Sequence, residues 1–207
     1  MNRADYIAGW KTADDWKSFR PILLSSQDRG LWEKTYEEYF MERLNRRYFD
    51  PIRTLLENDT FRGEGFSIVT IHCSVIEFLE TTIQGLKYKY LKRGERLGKY
   101  EYSSSKAIFI SFLTKRQPFN KCFNSGLARE FYESIRCGLL HEARTKNGWV
   151  IHAQSHNGHI IDEKQKVLFR NDLQHAFSEF LAWYRAELIG NPDCQSAFIR
   201  KFDSLCD

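Results

Sequence analysis

Ile68, His72, Val75, Leu79, Ile83, Leu86 and Tyr90 follow one another at intervals of three and four, the longest unbroken helical stripe in the chain. Residues at that spacing share one face of a 3.6-residue helix, so this stripe predicts a central helix around which the rest must pack. Similar stripes recur on both sides. Trp32, Tyr36, Phe40, Leu44 and Tyr48 line one face, and Asp50 with Pro51 reads as a cap and first position that restart the helix through Ile52, Leu55 and Leu56. Ser105 to Lys115 turns Ile108, Phe109, Phe112 and Leu113 inward before Pro118. Leu127, Phe131, Ile135 and Leu139 form a further face. Leu173, Phe177, Phe180, Leu181, Tyr184 and Leu188 mark a last main helix, with Asn171 or Asp172 as its cap.

Between the last two stripes the period changes. Trp149, Val150 and Ile151, then Asn157-Gly158, Ile160 and Ile161, and finally Val167 to Phe169 read as a β-hairpin over about residues 148–169. The expectation is an all-α, up-and-down helical bundle with a small β-hairpin inserted before the last main helix. An irregular N-terminal arm with one short helix occupies residues 1–30, the helical domain 31–190 and a short tail 191–207.

At 207 residues and 42% hydrophobic content the chain can bury one sizeable core. No apolar run approaches the length that spans a bilayer, and Met1 is followed by Asn2, Arg3, Ala4 and Asp5 rather than an apolar leader segment, so no membrane association and a cytoplasmic setting are expected. Five scattered cysteines without a CxxC pair fit reduced thiols.

Chemistry concentrates between Phe131 and Trp149, where FYESIRCGLLHEARTKNGW places Arg136 and His141 five positions apart. A neutral imidazole exchanges a proton near pH 7, and a guanidinium stabilises charge developing on a phosphoryl group. The pair suffices for RNA cleavage without a metal or cofactor. On a straight helix five residues rotate by about 140°, so the two side chains do not project together. The bland alternative is an Arg136 paired to Glu133 and a His141 bonded to backbone.

The run Arg136-Cys137-Gly138-Leu139-Leu140-His141, with Glu77 and Glu80 on an upstream helix and a polar hairpin before a final amphipathic helix, resembles the Arg-x4-6-His signature of HEPN domains. The resemblance covers about Leu31 to Ile189. It implies a HEPN-like bundle and a metal-independent endoribonuclease in which Arg136 and His141 are catalytic. It further implies a homodimer through the motif helix, and a bacterial toxin-antitoxin or defence setting with an antitoxin as possible partner. Many members carry Asn, Asp or His directly after the arginine, where this chain has Cys137. That departure keeps a second expectation open, a non-catalytic HEPN module binding RNA, nucleotide or a protein.

Around the pair, Glu142 can orient the histidine, Glu77 or Glu80 can position either group, and Cys137 faces His141 at i,i+4; each also fits an ordinary helix surface. Lys87, Lys89, Tyr90, Lys92 and Arg93 open a basic, aromatic stretch suited to single-stranded RNA, or to a solvated loop. His152, His156 and His159 cluster near the hairpin without a convincing further ligand, so no metal site is assigned.

Overall fold

The computed structural model describes residues 6–26, 28–60 and 62–207. Asn2, Arg3, Ala4 and Asp5, which bear on a leader, lie outside them. In chain order the elements are β1 (Tyr6–Ala8), β2 (Lys11–Thr12), α1 (Ala13–Ser25), α2 (Arg29–Thr35), α3 (Glu42–Leu44), α4 (Asp50–Glu57), α5 (Glu64–Gln84), β3 (Lys87–Tyr88) and β4 (Glu101–Tyr102). Then come α6 (Ser105–Lys115), α7 (Ser125–Phe131), α8 (Cys137–Glu142), β5 (Val150–His152), β6 (Ile161–Asp162), β7 (Val167–Phe169), α9 (Arg170–Gly190) and α10 (Pro192–Asp203). The protein is mostly helical. Its chain divides into two interleaved compact units: residues 1–51, 81–103 and 183–207 make the first, and 52–80 with 104–182 the second.

In the first unit an aromatic cluster joins α1 to α10. Trp16 lies edge-on to Tyr39 at 5.2 Å and 6.1 Å from Phe198, and Phe198 stacks on Phe202 at 4.2 Å. The Trp16 indole N–H donates to Asp203 at 2.9 Å, and Arg20 pairs with the same carboxylate. The N-terminal stretch, expected as an irregular arm with one short helix, carries a two-stranded ribbon as well as a 13-residue helix, whose N-cap Thr12 shares a reciprocal capping box with Asp15. The C-terminal stretch is largely the helix α10, capped by Asn191.

The second unit is built on phenylalanines. Phe112 packs against Phe119 at 4.8 Å and Phe180 at 5.1 Å, while Phe177 closes the group 5.2 Å from Phe119. All four are fully buried.

Two helix caps and the hairpin differ from the sequence expectation. Asp50 does not cap a restarted helix: its φ −65 and ψ −46 are helical, and the preceding Asn45–Phe49 turn is π-helical. The Asp50 N–H bonds to the Asn45 carbonyl five residues back, so the helical backbone runs on into Pro51 without a cap. The hairpin does not turn at Asn157-Gly158. The sheet order is β5-β7-β6, with β5 parallel to β7, and the true hairpin joins β6 to β7. Its turn is closed by the Asp162 carboxylate accepting from the Gln165 N–H at 2.9 Å, with Lys166 at φ 55. The chain leaves the sheet after His152 because the first turn of α9 captures it: Asn171 N–H donates to the Ala153 carbonyl, and Asp172 accepts from Ser155 N–H. Since α9 starts at Arg170, neither Asn171 nor Asp172 precedes it as a cap.

The central stripe stops short of Tyr90, because α5 ends at Gln84. Gly85, at φ 64, donates to Thr82 O and Leu86 donates to Thr81 O, a Schellman closure. A Cβ at Gly85 would sit 2.7 Å from the Ala197 carbonyl oxygen, so that close approach needs glycine. By length and composition α5 also qualifies as a membrane span, against the sequence reading, although most of its apolar window is buried inside the protein. Its buried polar groups belong to a protein interior.

His72, fully buried on α5, shows this best. Its Nε2 bonds Gln174 Oε1 at 2.7 Å, and its Nδ1 has no partner. Protonation would place a second N–H and a charge where neither is solvated, so burial lowers the pKa to about 4 despite the Gln174 bond. The unfolded chain binds that proton near pH 6.5 and the native chain only near pH 4, so stability is full above pH 6.5 and falls across that window. Urea unfolding at pH 7 and pH 5 should show the wild type losing about 2 kcal/mol more than His72→Gln; equal losses would mean that His72 does not titrate in this way.

Candidate functional site

The motif stretch begins at Asn124, whose side chain accepts from the Leu127 N–H at 2.9 Å and caps α7. Leu127, Phe131, Ile135 and Leu139 are buried, as their spacing requires. Phe131 and Tyr132 both pack on Phe109 of α6, at 5.5 and 5.4 Å. Between α7 and α8, Tyr132–Arg136 forms a π-helical turn, closed by the Cys137 N–H on the Tyr132 carbonyl. Such turns insert a residue into the helical repeat and are frequent at functional sites.

Arg136 emerges at the end of this turn, half-buried, with its guanidinium 5.2 Å above the Tyr132 ring. The bland partner for it is taken: Glu133 pairs with Lys106. No ion pair to Arg136 is found among the described residues. Burial raises the Tyr132 hydroxyl's pKa, opposed by Arg136 and reinforced by Cys137 and Glu77, which places these groups in one neighbourhood. Cys73 joins them from α5, its thiol pushed up to about 12 by burial, with the Arg136 charge opposing. Sequence spacing did not flag Cys73.

His141 stands exposed in the last turn of α8, where a positive charge would meet the helix's negative end. Among the described residues it has neither a hydrogen bond nor an ion pair. Glu142 does not orient it: that carboxylate is held by Lys146 and Arg144, which keep its pKa low. Cys137 to Glu142 is α-helical, so the rotation of about 140° between Arg136 and His141 stands. Arg136, ending the π-helical turn, and His141, in the last turn of α8, thus lie on one continuous helical run and diverge around its axis.

Of the upstream carboxylates, Glu77 accepts from Ser105 Oγ at 3.0 Å and borders the Tyr132 neighbourhood. Glu80 is fully buried and structural, accepting from Arg116 Nε at 2.8 Å and Ser111 Oγ at 2.7 Å. Lys87, Lys89, Tyr90, Lys92 and Arg93 belong to the first compact unit, Arg136 and His141 to the second. His152, His156 and His159 line a cleft of about 350 Å³ with Asp162, but no group of three metal-ligating side chains is close enough for an ion among the described residues.

Gly138 is the position that sequence reasoning overlooked. After Ala143 turns left-handed, at φ 52 and ψ 31, the chain folds back over α8, and Lys146 N–H donates to the Ser134 carbonyl at 2.8 Å. Asn147 adds a side-chain bond to Ser134 Oγ. A Cβ on Gly138 would collide with the Arg144 carbonyl. No family model, curated protein or solved structure matches the chain.

Two stability outcomes follow. Gly138→Ala should cost about 1–3 kcal/mol in urea unfolding, as overpacking does; a neutral result would show that the return segment yields freely. Arg136→Met should cost about 1 kcal/mol, the worth of a partly exposed cation–π contact, and His141→Ala about 0.5 or less. Larger losses would make these side chains structural.

Proposed function

We propose that the chain is a HEPN-type, metal-independent endoribonuclease. The observation that carries this reading is that Arg136 and His141 stand on one helix without ion-pair partners among the described residues, while the acids beside them are spent on Lys106, Lys146 and Arg144. A cation that a protein leaves unpaired at its surface is available to a phosphate.

In the reaction the RNA 2′-hydroxyl attacks the adjacent phosphorus and the 5′-oxygen leaves, giving a 2′,3′-cyclic phosphate and a 5′-hydroxyl. Arg136 stabilises the charge on the pentavalent phosphorus, and His141 moves a proton as general acid or base. Because the two diverge along the helix, one cleft needs two motif helices, and a homodimer supplies them. Leu140, 43% exposed beside His141, gives that helix an apolar contact for its second copy. An antitoxin partner and a role in bacterial defence come with the same family reading.

A second reading, a non-catalytic HEPN module that binds RNA, nucleotide or a protein, draws on Cys137 and on the lack of an orienting partner for His141 among the described residues. Incubation of the purified protein with labelled structured RNA in excess EDTA separates the two. Cleavage with cyclic phosphate ends, lost by at least about 100-fold in both Arg136→Ala and His141→Ala, is the expected result. RNA that stays intact, or cleavage that survives both substitutions, would remove these residues from catalysis.

A further inference from the structure

Residues 87–102 hold six cations, Lys87, Lys89, Lys92, Arg93, Arg96 and Lys99, against Glu95 and Glu101. That surplus equals the +4 net charge of the whole chain, so the remaining residues sum to neutrality. The same stretch carries four tyrosines. We propose that it is a platform for single-stranded nucleic acid, with bases stacking on Tyr88 and Tyr90 and phosphates met by Lys92, Arg93, Arg96 and Lys99. This inference stands apart from the ribonuclease reading.

The geometry sorts rings from charges. β3 pairs with β4 in parallel register, Lys87 opposite Glu101 and Tyr88 opposite Tyr102. Alternation along extended backbone then puts Lys87, Lys89 and Glu101 on one face, where Lys89 meets Glu101 at 3.2 Å. Tyr88 and Tyr102 share the other, their rings edge-to-face at 5.5 Å. Outside the paired residues the ladder continues, with Lys87 N–H donating to Tyr100 O and Lys89 N–H to Tyr102 O. Tyr100 is held under the Arg200 guanidinium at 4.1 Å. Tyr88 is thus held on this face at 52% exposure, and Tyr90, beyond the paired residues, is 75% exposed.

The acids cannot neutralise the loop. Glu101 accepts from Gly98 N–H at 2.6 Å as well as from Lys89, and Glu95 accepts from Lys92 N–H at 3.3 Å. Lys87 is paired with Asp207. Lys92, Arg93, Arg96 and Lys99 keep no ion pair among the described residues. Exposed rings beside uncompensated cations match a polymer that offers flat π-faces and regularly spaced phosphates. An acidic peptide would explain the charges but not the rings. A lipid surface would call for aliphatic insertion, and Leu97 is the one large aliphatic side chain exposed in the stretch. Neither stacking nor phosphate contact reads the 2′-hydroxyl, so DNA and RNA single strands should bind alike.

Fluorescence anisotropy of the full chain with labelled dT12 and rU12 tests this, dT12 being immune to cleavage through a 2′-hydroxyl. Both should bind, and affinity should fall with salt. Exchanging Lys92, Arg93 and Arg96 together for alanine should flatten the logarithmic salt slope by about 2, at about 0.7 per lost phosphate contact. Tyr90→Ala should weaken binding on the order of tenfold with little change of slope, and Tyr90→Phe should restore it. Absence of dT12 binding, binding that neither exchange alters, or capture of anionic phosphatidylserine vesicles in place of the oligonucleotides would each overturn the proposal. Loss of RNA cleavage in Arg136→Ala would leave dT12 binding intact, so the two readings fail separately.

Discussion

A buried carboxylate organises the second compact unit. Taking an ionised carboxylate out of water costs several kcal/mol unless it is paired and hydrogen-bonded with good geometry. Glu80 meets that demand through a two-pronged Arg116 fork and the Ser111 hydroxyl, all from α6 or the residue after it. Helices α5 and α6 are tied to each other at this charge, and the Ser105 bond to Glu77 ties them again nearby. Phe109 of α6 is in turn the surface on which Phe131 and Tyr132 lie, and Tyr132 is the ring beneath Arg136. The candidate arginine is therefore linked to the buried acid through two packing steps, Phe109 on α6 and the Tyr132 ring.

How far this was legible in the sequence depends on the range of the interactions. Apolar faces such as Leu127, Phe131, Ile135 and Leu139 are local patterns, and each is buried as its spacing demands. Helix α6 falls on the expected residues for the same reason. Trp16 looked like part of an arm because its neighbours are charged; its partners Tyr39, Phe198, Phe202 and Asp203 lie 23 or more residues away, and no periodicity in the first thirty residues points to them. The Asn157-Gly158 pair misled by being a strong local signal for a short turn. The backbone groups of Ala153 and Ser155 found partners on α9 instead, and that long-range competition decides where the sheet is left and rejoined.

The site divides along the same line. Arg136 and His141 can be picked out by type and spacing, and so can the angle between them. That Glu133 would choose Lys106, 27 positions earlier, cannot. Nor does Gly138 announce itself, since a glycine inside a helical run normally weakens the helix. Its reason lies outside the helix, in the return of Arg144 over its backbone. The residues that decide whether the motif is usable are thus not those that identify it.

That distinction bears on how the proposed reaction would work. A general acid or base needs a defined tautomer, and a hydrogen bond to the opposite ring nitrogen usually sets it. His141 has no such bond within the described residues, and the carboxylate next to it in sequence is committed to Lys146 and Arg144. The orienting partner must then arrive with the substrate or with a second copy of the motif helix. Arg136 differs: its ring contact with Tyr132 already limits where the guanidinium can go. Under the proposed reaction the arginine would be prepared in the single chain and the histidine completed by assembly, so a lone chain would hold a phosphate without being equipped to cut beside it.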